Sequence, residues 1–154
     1  MLEKILVPLD GSKVGESALP YVEDLVSKLS PKVKVEITLL QVIALEIPYA
    51  VGGESVPNIA YSREVLEEKR EKAMEYLIKT GEALSKKGAK VTTKVAEGNA
   101  SEEIVKAAEE INANFIAMST HGRSGFSRWA FGSVTDQVLR REGRIPIIMV
   151  RALK

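Results

Sequence analysis

Apolar positions along this chain fall into two alternating patterns, short runs of consecutive apolar residues and stripes spaced three or four residues apart. Lys4-Ile5-Leu6-Val7-Pro8-Leu9 is short, apolar and partly β-branched, the pattern of a strand buried on both faces. It stops at Asp10-Gly11-Ser12, residues of turns and helix caps. Ala18, Val22, Leu25 and Leu29 then follow at steps of four, three and four, which predicts a helix. Pro20 inside that stripe would cost about 3 kcal/mol in a helix interior, so the pattern requires either a late start or a kink there. Val33 to Ala44 predicts a second strand centred on Ile37 to Ile43. From Leu45 to Tyr61 the periodicity breaks into Pro48, Gly52-Gly53, Pro57 and Asn58, a loop long enough to be functional or mobile. Ser62 to Lys87 predicts a long helix with Val65, Ala73, Leu77 and Leu84 on or near one face. The five acids and five bases between Arg63 and Lys79 describe its solvated outer face.

Ala89 to Ala96 alternates, as a strand nearer a sheet edge does. Asn99 with Glu102 three residues on resembles a capping box for a helix through Asn112, with Ile104, Ala107, Ala108 and Ile111 inward. Asn114 to Met118 is a short apolar strand, Ser133 to Arg141 a helix, and Ile145 to Val150 a last strand. Strand–helix repeated four times and closed by a fifth strand implies βαβ units with right-handed crossovers. The expected fold is α/β: one domain over residues 1–154, a five-stranded parallel sheet of flavodoxin-like or Rossmann-like order 3-2-1-4-5, with helices on both faces. Its ligand crevice should lie beyond the carboxyl ends of the first and fourth strands, where the order reverses.

Composition narrows the chemistry. The 154 residues include no cysteine and one histidine, which excludes thiolate chemistry and leaves a transition-metal site short of ligands. Twenty-two Lys and Arg against 21 Asp and Glu leave a net charge of +1, a poor basis for general nucleic-acid binding. The longest run without Asp, Glu, Lys or Arg, Ile111 to Gly122, is twelve residues, too short for a spanning helix. The amino-terminal run carries an acid and a base and no small-residue cleavage site, unlike a secretory signal. The expectation is a cytoplasmic protein without membrane or nucleic-acid partners.

Two segments reach the expected crevice. One is Pro8-Leu9-Asp10-Gly11-Ser12, and the other runs from Met118 to Ser133. Between Ser119 and Ser133 stand three glycines, four serines, one threonine and two arginines, with no acid. Glycines free backbone N–H groups for an anion and hydroxyls add donors. Ser133-Val134-Thr135-Asp136 fits a helix start, so Gly132-Ser133 would present free N–H groups at a positive dipole end. Neither a P-loop nor a Gly-x-Gly-x-x-Gly motif after a strand is present.

In these residues the chain resembles the universal stress proteins, in their nucleotide-binding branch. That family's signature is Gly-x2-Gly-x9-Gly-Ser/Thr. Gly122, nine intervening residues and Gly132-Ser133 match its last two-thirds, while Ser119 stands at the first glycine. Lys4 to Ser12, Leu39-Leu40-Gln41-Val42, Gly98-Asn99-Ala100 and Pro146 to Val150 extend the resemblance over nearly the whole chain. The resemblance implies binding of ATP, AMP or another adenine nucleotide, with Mg2+ carried by the phosphates and no metal ligands from the protein. By position, Pro8, Leu9, Asp10 and Val42 would surround the adenine and ribose. Met118, Ser119, Thr120, His121, Gly122, Arg123, Ser124 and Gly125 would wrap ribose and phosphates, and Gly132, Ser133, Val134 and Thr135 would hold the outer phosphates. Asp10 also suits a turn or helix cap. A β-carbon at Ser119 implies weakened or rearranged contact there rather than loss. Arg123 is open between pairing a phosphate and facing water. His121 lacks a nucleophile or metal partner in the sequence, which favours positioning or packing over catalysis. Trp129 and Phe131 stand just before Gly132, where packing the loop onto the domain is the simpler role.

The function implied is a nucleotide-binding regulatory protein of the stress response with little or no hydrolysis. The alternatives are a slow ATP hydrolase or nucleotidyl or phosphoryl transferase, with Asp10 the one plausible acid, and a nucleotide-free interaction protein. The last strand, Pro146 to Arg151, should leave an apolar sheet edge, and the resemblance implies a homodimer through it.

Overall fold

In the computed structural model β1 (Leu2–Pro8) leads through a 3-10 turn (Gly15–Ala18) into α1 (Leu19–Leu29), followed by β2 (Lys34–Ala44) and α2 (Arg63–Lys86). Then come β3 (Lys90–Gly98), α3 (Ala100–Glu110), β4 (Phe115–Thr120), α4 (Ser133–Arg140) and β5 (Ile147–Arg151). The structure describes residues 1–29, 31–45, 62–120, 133–141 and 143–152. All strands pair in parallel in the order β3-β2-β1-β4-β5, as the alternation of periods predicts. No described helix is long and apolar enough to cross a membrane.

Both faces of the sheet are covered, and strand alternation assigns each side chain its face. Ile5, Val7, Leu9, Ile37 and Leu39 pack with Val22 and Val26 of α1 and Leu77 and Leu84 of α2. Leu6, Leu40, Ile116 and Met118 face the other way and meet Ile104, Ala107 and Ala108 of α3 and Val138 of α4. Burial on both faces is why the central strands read as unbroken apolar runs.

The elements depart from expectation in a few places. Pro20 is the second residue of α1, where no intrahelical donor is needed, so the stripe is accommodated by a late start. Ser62 caps α2, accepting from the Val65 N–H at 3.3 Å, yet Val65 itself remains 40% exposed and is not part of the buried stripe. The third helix stops at Glu110, short of Asn112, whose positive φ of 53° is a left-handed conformation that asparagine tolerates. Asn99 is its cap, accepting from the Glu102 N–H at 3.1 Å. Asp136 in the first turn of α4 accepts from Arg140 Nε at 2.9 Å one turn on, while the Gly132 side of the expected cap lies outside the described residues. The fourth strand extends to Thr120, two residues beyond its expected end, so Ser119 and Thr120 belong to the sheet.

The reversal of strand order opens a crevice for a local reason. β1 pairs with β2 along its whole length, but with β4 only at Ile5–Phe115 and Leu6–Ile116. The Lys4 N–H points to the β4 side, donating to Asn114 Oδ1, and the Leu9 N–H points to β2, donating to Leu40. By alternation the nitrogen of Pro8 faces β4, and proline has no proton to donate. The two strands part there.

Candidate functional site

Beyond that parting lies a cavity of about 250 Å³. Its described walls come from five places: Pro8, Leu9 and Asp10 after β1, with Ser12, Val14 and Gly15; Leu40 and Val42 of β2; Ala100 and Ile104 of α3; Met118 and Ser119 of β4; and Val134 and Thr135 of α4. Pro8, Val42, Met118 and Val134 make an apolar slot, while Asp10, Ser12, Ser119 and Thr135 bring polar groups to its rim. The volume lies just under the range of about 300–1,000 Å³ usual for ligand sites, enough for a heterocycle with a sugar.

The rim after β1 is tightly wired. Asp10 Oδ1 accepts from the Ser12 N–H at 2.9 Å and from the Ser12 hydroxyl at 2.5 Å. The carboxylate is therefore the acceptor of an Asx turn, the turn role open to it from sequence. Gly11 at the tip has φ of 85°, a conformation that glycine enters without cost. Ser12 Oγ in turn accepts from the Gly15 N–H at 3.0 Å. From across the crevice, the Ser119 hydroxyl donates to the Gly15 carbonyl and accepts from the Ala18 N–H, both at 2.8 Å. From the other side, Tyr76 of α2 donates its hydroxyl to Glu16 Oε1 at 2.8 Å. Burial, followed by this bond to Glu16 and its charge, pushes the Tyr76 phenol well above its ordinary range.

The far wall is held from beneath. Arg141, just past α4, donates from Nε to the fully buried Ser101 hydroxyl at 2.9 Å and from Nη2 to Glu102 at 3.2 Å. Ser101 donates its own proton to Asn99 Oδ1 at 2.7 Å. The end of α4 is thereby tied to the start of α3, which orients the α4 amino terminus toward the cavity. First-turn N–H groups of a helix lack intrahelical partners, and the dipole there favours an anion.

Eight of the residues nominated from sequence thus line one cavity: Pro8, Leu9, Asp10, Val42, Met118, Ser119, Val134 and Thr135. Thr120 does not; it is buried in β4, and its carbonyl accepts from the Ala152 N–H at 3.1 Å. His121, Gly122, Arg123, Ser124, Gly125 and Gly132, like Trp129, Phe131 and the stretch 46–61, lie outside the described residues, as does the side chain of Ser133. Sequence reasoning missed Ser12, Val14 and Gly15, though the Asp-Gly-Ser turn signal pointed at that segment. It also missed Leu40, two residues before Val42 on β2, and Ala100 and Ile104, for which the Gly98-Asn99-Ala100 segment was the available clue. Among the described residues no three of His, Cys, Asp or Glu gather to hold a metal, and Asp10 is the one acid lining the cavity.

A family model described as the universal stress protein family matches residues 1–151. Universal stress protein MJ0531 of Methanocaldococcus jannaschii is 27% identical over 154 residues, covering all of this chain and 85% of that protein. Universal stress protein MJ0577 of the same organism is 28% identical over 158 residues, covering 98% of this chain and 96% of that protein. Its solved structure superimposes with a TM-score of 0.74 at 26% identity, over 99% of this chain and 97% of that one. An Arabidopsis thaliana universal stress protein family structure with AMP bound shares the fold at a TM-score of 0.64 and 17% identity, covering 98% and 92% of the two chains.

Proposed function

The chain belongs to the universal stress protein family, and from that premise we propose that its β1–β4 crevice binds an adenine nucleotide, ATP in particular, as a regulatory ligand. One observation carries this reading: eight residues with sequence-based ligand assignments, drawn from four separate stretches of chain, line a single cavity at the reversal of strand order. The residues present fit such a ligand. Pro8, Val42 and Met118 offer apolar surface for a base, and Asp10 is an acceptor at the rim for ribose hydroxyls. The amino terminus of α4, with Val134 and Thr135, is an anion site of the kind helix starts provide. By sequence, Gly122, Gly125 and Gly132 remain the residues assigned to the phosphates. Structures of this fold solved with AMP and with cAMP bound are consistent with an adenine ligand.

Mg2+ would enter with the phosphates, since Asp10 alone is a poor metal site. Phosphoryl transfer needs charge stabilisation and a positioned base around the leaving phosphate. Among the described residues the turn-bound Asp10 is the one acid lining the crevice, which supports a binding role with hydrolysis at or near background. A homodimer through the β5 edge and a cytoplasmic site of action complete the proposal.

The test is direct. Mass spectrometry of ligand released from the purified protein, with titration calorimetry of ATP and Mg2+, should identify an adenine nucleotide or give a saturable heat. No retained nucleotide and no heat would sink the reading.

A further inference from the structure

Ser119 replaces the first glycine of the family's signature, and the structure gives that departure a role. Its hydroxyl is engaged by backbone of the 3-10 turn, which takes its one proton: it donates to the Gly15 carbonyl and accepts from the Ala18 N–H, each at 2.8 Å. These bonds join residues 104 and 101 positions apart. They join a network in which the Gly15 N–H donates to the Ser12 hydroxyl, the Ser12 hydroxyl donates to Asp10 Oδ1, and the Gly15 carbonyl accepts from Ser119 Oγ. The Ser12 and Ser119 hydroxyls each donate once and accept once, and Asp10 Oδ1 accepts from both the N–H and the hydroxyl of Ser12. The network spans the mouth of the crevice where β1 and β4 no longer pair. We propose that Ser119 is a positioning residue: it straps the turn carrying Ser12 and Gly15 to β4, holding the nucleoside end of the crevice at its binding width before ligand arrives.

The proposal rests on the nucleotide reading for its affinity consequences, though not for the strap itself. A hydroxyl already committed to two backbone partners has little left for a phosphate oxygen. Its influence therefore falls on the end of the crevice lined by Asp10, Ser12 and Gly15, and should be felt equally by ligands with and without phosphates. Glycine at this position has no hydroxyl, so restoring the family's own residue should weaken binding in this chain.

Ser119→Ala and Ser119→Gly, with Ser119→Thr to keep the hydroxyl, are compared by calorimetry against adenosine and ATP. Two neutral hydrogen bonds lost from the free protein correspond to an affinity loss of about five- to 150-fold. The expected result is that loss, by the same factor for both ligands, in the alanine and glycine variants, with affinity retained in threonine. A loss confined to ATP overturns the proposal, because it would make Ser119 a phosphate contact. Unchanged affinities alongside a lowered Tm also overturn it, because the hydroxyl would then serve stability alone. Native-state amide exchange without ligand reads the strap independently: the Ala18 N–H should exchange about three- to tenfold faster in Ser119→Ala, and unchanged exchange overturns the proposal. If the wild-type protein binds neither ligand, the nucleotide reading fails and the affinity role fails with it, whereas the exchange result still decides whether the strap exists.

Discussion

An alanine at position 15 would bring a β-carbon to 2.5 Å from Asp10 Oδ1, 3.3 Å from Asp10 Cγ and 3.2 Å from Ser12 Oγ. The carboxylate must then leave its place. It is the tip of a side chain, but an anchored one, since Oδ1 accepts both the N–H and the hydroxyl of Ser12. In this exposed turn those bonds are worth about 0.5–1.5 kcal/mol each, so displacement costs about 1–3 kcal/mol in all. Gly15 does not have positive φ, so alanine is conformationally acceptable and gains about 0.4–1 kcal/mol by restricting the unfolded chain. The net effect of Gly15→Ala is then between roughly zero and 2.6 kcal/mol of destabilisation, too broad a range to be diagnostic. The background changes the sign. With Asp10→Ala the 2.5 Å contact is gone and Ser12 Oγ, released from its acceptor, can give the few tenths of an ångström its 3.2 Å contact needs, so the same glycine-to-alanine change should stabilise by up to about 0.4–1 kcal/mol. Urea denaturation of the four proteins closes the cycle, with an expected coupling of about 1–3 kcal/mol between the two sites. Additivity to within about 0.3 kcal/mol would refute the close approach of Gly15 to Asp10 and the wiring argued from it.

Gly81, inside α2, gives a contrasting case, because a β-carbon there would lie 2.8 Å from Val91 Cγ1 and 3.3 Å from Leu39 Cδ1. Overpacking of about 1–3 kcal/mol outweighs the helix-propensity gain of about 1 kcal/mol, so Gly81→Ala should lower Tm. Val91→Ala should relieve most of that loss, and a Tm raised by Gly81→Ala alone would contradict the packing. Tyr76 predicts an alkaline limit. Its phenol is raised by burial and by its bond to Glu16, while in the unfolded chain it titrates near about 10. The neutral form is therefore favoured by folding: its stabilisation is complete below pH of about 10 and declines as pH rises beyond it toward the folded pKa. Wild type minus Tyr76→Phe should show no tyrosinate absorbance from this residue at pH of about 10; half-ionisation there would refute the buried bond.

Much of this architecture was legible because its determinants are local. Unbroken apolar runs marked β1, β2 and β4, and three- and four-residue stripes marked the helices, since each pattern reports how a segment meets its own neighbours. The strand order is the simplest doubly wound topology for five parallel strands, which the structure bears out, and the reversal of order located the crevice. Element ends were less legible. Asn112 and Thr120 carry no unique stop or continuation signal; the left-handed turn at Asn112 and the pairing of Thr120 with Arg151 depend on where the chain goes next. Val65 fits the helical stripe but is exposed, because a stripe predicts which face turns inward and not whether a core extends beneath it.

The sequence by itself determined the alternation of elements, the parallel sheet and the two segments that would meet at its switch point. Only the tertiary structure decided how they meet. It brought Ser119 to Gly15 and Ala18, Tyr76 to Glu16, and Arg141 to Ser101. A hydroxyl or guanidinium can satisfy its valence with any nearby backbone or polar partner, so its choice is written in the distance between chain segments and not in the segments themselves. Hydrophobic periodicity survives reading one residue after another; a hydrogen bond across a hundred residues does not.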